Sequence, residues 1–488
     1  HQIKDSGAKH LITLDIFWPK IAALREQLEL DVCYVTRVRD ALKFPLSWLQ
    51  PFSARRQGTW VPVPFDGKEV VAWKDLFKTT ERLSVEVADA HETIALLQYT
   101  GGTTGLSKGA MLTHANLLAN LTQLMAIIQQ PPEKEHVFLA LLPLFHVFGL
   151  TITLLLPARM AARVVPMPRY VPADMLEAFK KYQFTAFIGA PSVYISLLQQ
   201  KNLAQYDLHH IIFCISGSAP MPVEWLKKFE EVTGTPITEG FGLTEASPVT
   251  HANPVFGKQK PGSIGVPVPG TLARIVDTED GERVLAHNEI GELVIKGPQV
   301  MKGYWNRPEE TARTIRDGWL YTGDIAYMDE EGYFYIVDRK KDLIIVGGYN
   351  VYPREIDEVL HTHPKIREAV TVGVNHRSRG ETVKAYIVPE EGANLTVPEV
   401  VAFCRQKLAS FKVPRLIEFR EELPKTMVGK VLRRILREEE LHKSDTEQDK
   451  EQLVPEETSK EEVSAPEAGI GEKEAKTQGE PEKTDGNA

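Results

Sequence analysis

The sequence predicts an α/β protein with a large front domain and a smaller rear domain, and three observations carry that prediction. Short apolar runs alternate with helical segments over most of the chain. A stretch of glycines and hydroxyls, Thr100 to Lys108, joins an apolar strand to a helix. A run of short β segments with Gly/Pro turns, Gly262 to Val300, separates the front from a compact rear unit.

The alternation begins at the first residues. Leu11-Ile12-Thr13-Leu14 and Val32-Cys33-Tyr34-Val35 read as strands, and Pro19 to Leu30 as a helical segment. The chain opens at His1 without a methionine and already reads as the middle of a fold, so its natural N-terminus is expected to be missing. Ile94 to Leu97 reads as a buried strand, and Thr113 as the N-cap of a helix beginning near His114. Val137 to Ala158 is apolar and long enough to span a bilayer, yet Pro143, His146, Gly149 and Pro157 interrupt it. A buried strand, a loop and a buried helix account for it better than a span.

Alternation continues through Met175 to Tyr182, Ala186-Phe187-Ile188 and Ile211 to Ile215. The small-residue turn Ser216 to Met221 follows that strand, where doubly wound sheets bind ligands. Pro236 to Glu245 admits two readings: a turn, or glycine, hydroxyl and carboxylate gathered for a nucleotide with Mg²⁺. Ala326 to Val337 reads as a hairpin, and the charged run from Asp338 as a solvated turn or a domain junction. Behind it, Val351 to Thr362 and Val397 to Leu408 read as helices, the second with Thr396 and Glu399 as a capping box. Lys430 ends a polar loop and, taken alone, reads as a solvated lysine.

Composition narrows the function classes. The net charge of -9 belongs to the tail: from Glu439 onward there are 16 acidic and 6 basic residues. The body is near neutral, with no basic surplus to suggest nucleic acid binding. The tail, rich in Glu, Lys, Ser, Pro and Thr, is expected to be disordered. Three separated cysteines, Cys33, Cys214 and Cys404, argue against a disulfide framework or zinc site and for a reducing compartment. The expected location is cytoplasmic.

In the Thr100–Lys108 stretch, glycines let backbone N–H groups crowd a polyphosphate, hydroxyls add donors, and Lys108 adds charge. A P-loop would close on Gly-Lys-Ser/Thr, whereas here Ser107 precedes Lys108 and Gly109 follows. The order of residues resembles the phosphate loop of the adenylate-forming superfamily of acyl-CoA synthetases, luciferases and adenylation domains. Four further stretches fall in that family's order: Gly240 to Glu245, Tyr321 to Asp324, Asp338 to Gly348 and Pro424 to Lys430. The resemblance runs from residue 1 to about 438 and is nearest to long-chain fatty acid–CoA ligases.

The resemblance implies a large domain with doubly wound sheets and a small β-barrel over 1–338, its front part missing. A hinge follows at 339–341, then a mobile α+β domain at 342–438 and the acidic tail at 439–488. It implies ATP, Mg²⁺ and coenzyme A, with a fatty acid as the acyl donor. Thr100, Gly101, Gly102, Thr103, Thr104, Gly105 and Lys108 would close over the β- and γ-phosphates. Gly217, Ser218 and Ala219, with Gly240, Phe241 and Gly242, would frame the adenine. Thr244 would touch the α-phosphate, Glu245 hold Mg²⁺, and Asp324 take the ribose hydroxyls beside Arg339. Lys430 would reach the α-phosphate and carboxylate, Lys341 would be the hinge, and Gly347 and Gly348 would line the pantetheine tunnel. His146 stands where amino-acid-activating relatives carry an aspartate, which argues against an α-amino acid; with Phe187, Gly189 and Tyr194 it would wall an acyl pocket.

The implied reaction is formation of an acyl-adenylate with release of pyrophosphate, then of acyl-CoA with release of AMP. Aryl, short-chain or carrier-protein ligation and an inactive nucleotide-binding fragment remain as alternatives. A fatty acid substrate brings peripheral membrane contact within reach, although no anchor or basic amphipathic helix stands out.

Overall fold

In the computed structural model, residues 1–78, 89–100, 107–129, 135–219, 221–376, 380–426 and 429–446 are described. Gly101, Gly102, Thr103, Thr104 and Gly105 of the phosphate loop lie outside them, as does the tail beyond Thr446.

The centre of the large domain is a seven-stranded sheet. Val137–Ala140, Arg163–Pro166, Ala186–Gly189, Phe213–Ser216 and Ile237–Gly242 pair in parallel, and Val249–Ala252 and Val266–Pro267 extend one edge antiparallel. Neighbouring residues on these strands serve opposite faces. Leu139, Phe187 and Cys214 pack against Met175, Phe179, Leu197 and Phe229 from helices Pro172–Tyr182, Pro191–Leu198 and Val223–Thr233. Phe138, Ile188 and Ile215 pack the other way, against Leu121, Leu124 and Ile128 of helix His114–Ile128 and Ile152 of the π-helix Gly149–Leu155. The sheet is therefore doubly wound, and its parallel strands are apolar on both sides because both are covered. Their C-terminal ends, at Gly189, Ser216 and Glu239 to Gly242, open on one crevice.

Val137 to Ala158 is a buried strand followed by a turn and the buried π-helix, which continues as Leu156–Arg159. No helix among the described residues is long and apolar enough to cross a membrane. Thr113 caps its helix as expected: its hydroxyl accepts from Asn116 N at 3.2 Å, and Asn116 Oδ1 accepts from Thr113 N at 2.9 Å, an arrangement worth about 1 kcal/mol.

The phosphate-loop region differs from the strand–loop–helix expectation. Ile94–Thr100 turns back into a second, antiparallel strand, Lys108–Thr113, which sets Thr100 opposite Lys108 before the helix begins. Gly303–Tyr304 adds a third strand beside it. At the front, His10–Leu14, Val32–Thr36 and Val70–Ala72 form a three-stranded parallel sheet.

The expected barrel takes the form of a five-stranded antiparallel sheet, with Leu272–Val276, Gly291–Lys296, Trp319–Met328 and Ile315–Arg316 in that order and Phe334–Arg339 on Trp319–Met328. The last pairing is the predicted hairpin.

The small domain is built on another five-stranded sheet. One face is covered by helices Pro353–His361 and Val397–Arg405 through Ile356, Leu360, Val400, Val401 and Cys404. The other is covered by Leu423 and Leu436, the latter on the terminal helix Arg433–Thr446. The Thr396–Glu399 capping box is present.

Candidate functional site

A cleft of about 2680 Å³ runs between the crevice of the large sheet, the edge of the antiparallel sheet and the small domain. Three motifs of the large domain meet there: Gly217 to Ala219 after one strand, Gly240 to Glu245 after the next, and Asp324 with Arg339 from the hairpin. Thr100 and Lys108 close one side, and Lys430 enters from the small domain.

Gly242 is required by close approach: a Cβ there would stand 2.2 Å from the Pro248 carbonyl oxygen. That packing fixes the turn carrying Thr244 and Glu245, which lie on the single 3₁₀ turn Thr244–Ala246. Glu245 Oε1 accepts from the Tyr304 hydroxyl at 2.7 Å. Burial and the Glu245 charge push the Tyr304 phenol far above its usual range. Lys108 pairs with Glu310 and lies 5.4 Å from the centre of the Tyr304 ring. Burial pulls its ammonium down, with Glu245 opposing. Tyr304 and Glu310 escape sequence reasoning: nothing local in Gly303-Tyr304-Trp305 shows that this strand lies beside Lys108–Thr113.

Among the described residues no three His, Cys, Asp or Glu side chains form a metal cage. Glu245 alone, facing the cleft beside Lys108, nevertheless fits Mg²⁺, which takes one or two carboxylates and completes its octahedron with phosphate and water.

Asp324 is 1% exposed. Its Oδ1 pairs with Arg339 Nε at 2.6 Å, while its buried Oδ2 has no hydrogen-bond partner among the described residues. Burial raises its pKa; Arg339 first, then Lys430, oppose that. An orphaned buried carboxylate oxygen on a cleft wall is an acceptor set for a ligand's donors.

Lys430 has solvent access through the cleft but is surrounded by protein. Desolvation, then the Arg339 guanidinium, pushes its ammonium down to about 8 against the pull of Asp324. Its loop touches the opposite wall, since a Cβ on Gly429 would lie 3.5 Å from Ser192 Oγ. His146 faces the same space, and burial, helped by the Lys430 charge, lowers its pKa. Beyond His146 the wall is apolar, formed by Leu124, Ile128, Phe148, Ile152, Ile195 and Val249.

Two sets of expected residues lie elsewhere. Phe187 and Tyr194 do not wall the cleft: both are fully buried in the core, and the Tyr194 hydroxyl donates to the carbonyls of Phe187 at 2.7 Å and Ile215 at 3.0 Å. Gly189 is likewise buried, against Val193 and Tyr194. The cause is strand alternation, which turns Phe187 to the far face; Ala190, Pro191, Ser192 and Ile195 stand on the wall instead. Gly347 and Gly348 form the two-residue turn between Ile344–Val346 and Tyr349–Val351, with φ of 56° and 88°. Both positive angles suit the tight hairpin, and the turn lies outside the cleft. Lys341 lines the cleft within the 3₁₀ turn Lys340–Asp342 that joins the domains.

The AMP-binding enzyme family model matches residues 1–305, and the AMP-binding enzyme C-terminal domain matches residues 355–430. The long-chain-fatty-acid–CoA ligase of Bacillus subtilis (strain 168) is 48% identical over 443 residues, covering 90% of this chain and 78% of that protein. The enzyme of the same description from Escherichia coli O157:H7 is 41% identical over 450 residues, 91% of this chain and 79% of that one. Among solved structures, ATP-bound MatB from Rhodopseudomonas palustris superposes with a TM-score of 0.78 at 31% identity, over 90% of this chain and 80% of that one. Two family models in register with both domains, and relatives this similar over nine-tenths of the sequence, show that the chain belongs to the AMP-binding enzyme family.

Proposed function

We propose that this protein is an ATP- and Mg²⁺-dependent ligase that converts a long-chain fatty acid, through an acyl-adenylate, to acyl-CoA, releasing pyrophosphate and AMP. The observation that carries this reading is the position of Lys430, set between the Asp324–Arg339 pair and the apolar wall beyond His146. The ligase relatives support the substrate class.

A carboxylate is a weak nucleophile, so the first step needs an electrophilic phosphorus with its charge neutralised. Asp324 Oδ2 accepts from the ribose hydroxyls, and Gly217 to Ala219 with Gly240 to Gly242 enclose the adenine. Thr100 and Lys108 hold the leaving pyrophosphate, and Thr244 donates to the α-phosphate. Lys430 lies against both the α-phosphate and the incoming carboxylate, where negative charge concentrates in the transition state. Glu245 would hold Mg²⁺, which when bound would supply further charge neutralisation. His146, neutral and half-buried, closes the apolar slot at the carboxylate end.

In the second step the CoA thiol attacks the activated carbonyl and AMP leaves. Gly347 and Gly348 stand outside the cleft in this pose, so lining a pantetheine path requires the small domain, 342–438, to turn on 339–341 against 1–338. Acid-dependent release of AMP and pyrophosphate tests the reading, with palmitate, octanoate and benzoate compared with and without CoA. Palmitate-dependent AMP release that requires CoA is the expected result. Preference for benzoate or octanoate would move the chain to an aryl or shorter-chain specificity, and silence from folded protein would overturn the ligase reading.

Peripheral membrane contact belongs to the same proposal. Phe44 is 83% exposed, and Trp48 and Phe52, one turn apart on helix Leu46–Arg56 and in edge contact at 5.6 Å, are also exposed. Exposed Lys43, Arg55 and Arg56 bracket them. Aromatic rings flanked by cations suit the headgroup region of an anionic bilayer. Co-sedimentation with phosphatidylglycerol vesicles is expected to fall several-fold in Trp48→Ser/Phe52→Ser, with turnover of detergent-dispersed palmitate retained. Equal sedimentation of parent and variant would remove the surface from the proposal.

A further inference from the structure

The helix that opens the small domain lacks a cap of its own. Tyr352 stands at the N-cap of Pro353–His361 and makes no side-chain capping bond. The acceptor comes from the large domain instead: Asp338 Oδ2, on strand Phe334–Arg339, takes the Arg354 backbone N–H at 2.8 Å. The Arg354 side chain crosses the junction in the same direction. Its Nη1 donates to the Ile336 carbonyl at 2.6 Å, while Nε is held by Glu358 one turn along at 2.8 Å. Asp338 is 3% exposed, and its Oδ1 accepts from the Arg339 backbone at 2.7 Å. Arg339 in turn grips Asp324. A chain of short bonds thus runs from the first turn of the small-domain helix to the orphaned carboxylate on the cleft wall.

Ile336 and Asp338 precede the Lys340–Asp342 turn, and Arg354 follows it. Rotation of the small domain on that turn therefore separates both pairs, whereas the pose with Lys430 in the cleft keeps them. We infer that Arg354, with Asp338, is the positioning residue that latches the small domain in the adenylate-forming pose, and that this latch must open before the thioester step. The inference rests on the ligase reading above. It gives Arg354 a role distinct from that of Lys430: it touches no substrate and acts on where the lysine stands.

The latch predicts a split between half-reactions. Losing a charged hydrogen bond made in only one pose is expected to slow fatty-acid-dependent pyrophosphate release about tenfold in Arg354→Ala. Thioester formation from supplied palmitoyl-adenylate and CoA is expected to hold or rise. Arg354→Lys keeps a donor long enough to approach the Ile336 carbonyl and is expected to restore most of the loss. Trypsin cleavage at Lys340 and Lys341 gives a readout independent of chemistry, expected to quicken several-fold in Arg354→Ala at unchanged melting temperature. Parent-like pyrophosphate release and cleavage in Arg354→Ala would overturn the latch, as would equal loss of both half-reactions with a lowered melting temperature. If the parent itself formed neither adenylate nor thioester, the ligase reading would fall, and the cleavage comparison would still decide whether Arg354 holds the domains together.

Discussion

Lys430→Ala is expected to lower adenylate formation about 10²–10³-fold, the scale on which one preorganised charge acts at a transition state. Thioester formation from supplied acyl-adenylate should stay near the parent rate, because the small domain turns on 339–341 before that step and carries Lys430 away from the reacting carbonyl. Equal loss in both steps would remove the lysine from its proposed place. The cleft sets the pH dependence. Desolvation and Arg339 hold the Lys430 ammonium down to about 8, so the useful charged form dominates below that pH and is lost as pH rises through it. The kcat/KM for adenylation, which reports the free enzyme, should therefore fall above about pH 8. Lys430→Arg, charged throughout, should flatten that limb. The stability sign is opposite to that of a structural ion pair. A lysine whose folded pKa lies below its unfolded value binds its proton less readily when folded, so charging it weakens the fold below pH 8. Lys430→Ala should thus melt no lower than the parent at neutral pH, which separates lost chemistry from lost structure.

The fold class was legible because its signals are local. Apolar strands alternate with amphipathic helices, Thr113 caps its helix, and Thr396 with Glu399 frames another. What was not legible depends on which face or edge a residue reaches. Phe187 and Tyr194 have a pocket's composition, but the period of two sends Phe187 into the core and Tyr194 sits on the buried face of helix Pro191–Leu198, which leaves Ala190, Pro191, Ser192 and Ile195 on the wall. The Tyr304–Glu245 bond joins residues far apart in sequence that only sheet pairing brings together. Lys430 is the instructive intermediate case. Its loop has the composition of any solvated turn, and its chemistry follows from the cleft into which the small domain carries it.

Asp324→Ala should act on nucleotide binding as strongly as Lys430→Ala acts on turnover. The carboxylate is buried, one oxygen is committed to Arg339 and the other has no partner among the described residues, so that oxygen is left for the ribose. Charge-assisted hydrogen bonds to two hydroxyls are together worth roughly 3–4 kcal/mol, so KM for ATP should rise on the order of a hundredfold while kcat falls far less. A ribose contact makes a sharper demand than a general loss of affinity. The parent should discriminate ATP from 2′-deoxy-ATP and 3′-deoxy-ATP, and the variant should treat all three alike. Discrimination that survives in the variant would place the hydroxyls elsewhere. The fold should tolerate the change: Arg339 is partly open to water and can be solvated without Asp324, and the substitution removes a carboxylate whose burial disfavours its charge. A site that gains stability when its carboxylate is removed, and loses its nucleotide at the same time, has that carboxylate for the ligand and not for the fold.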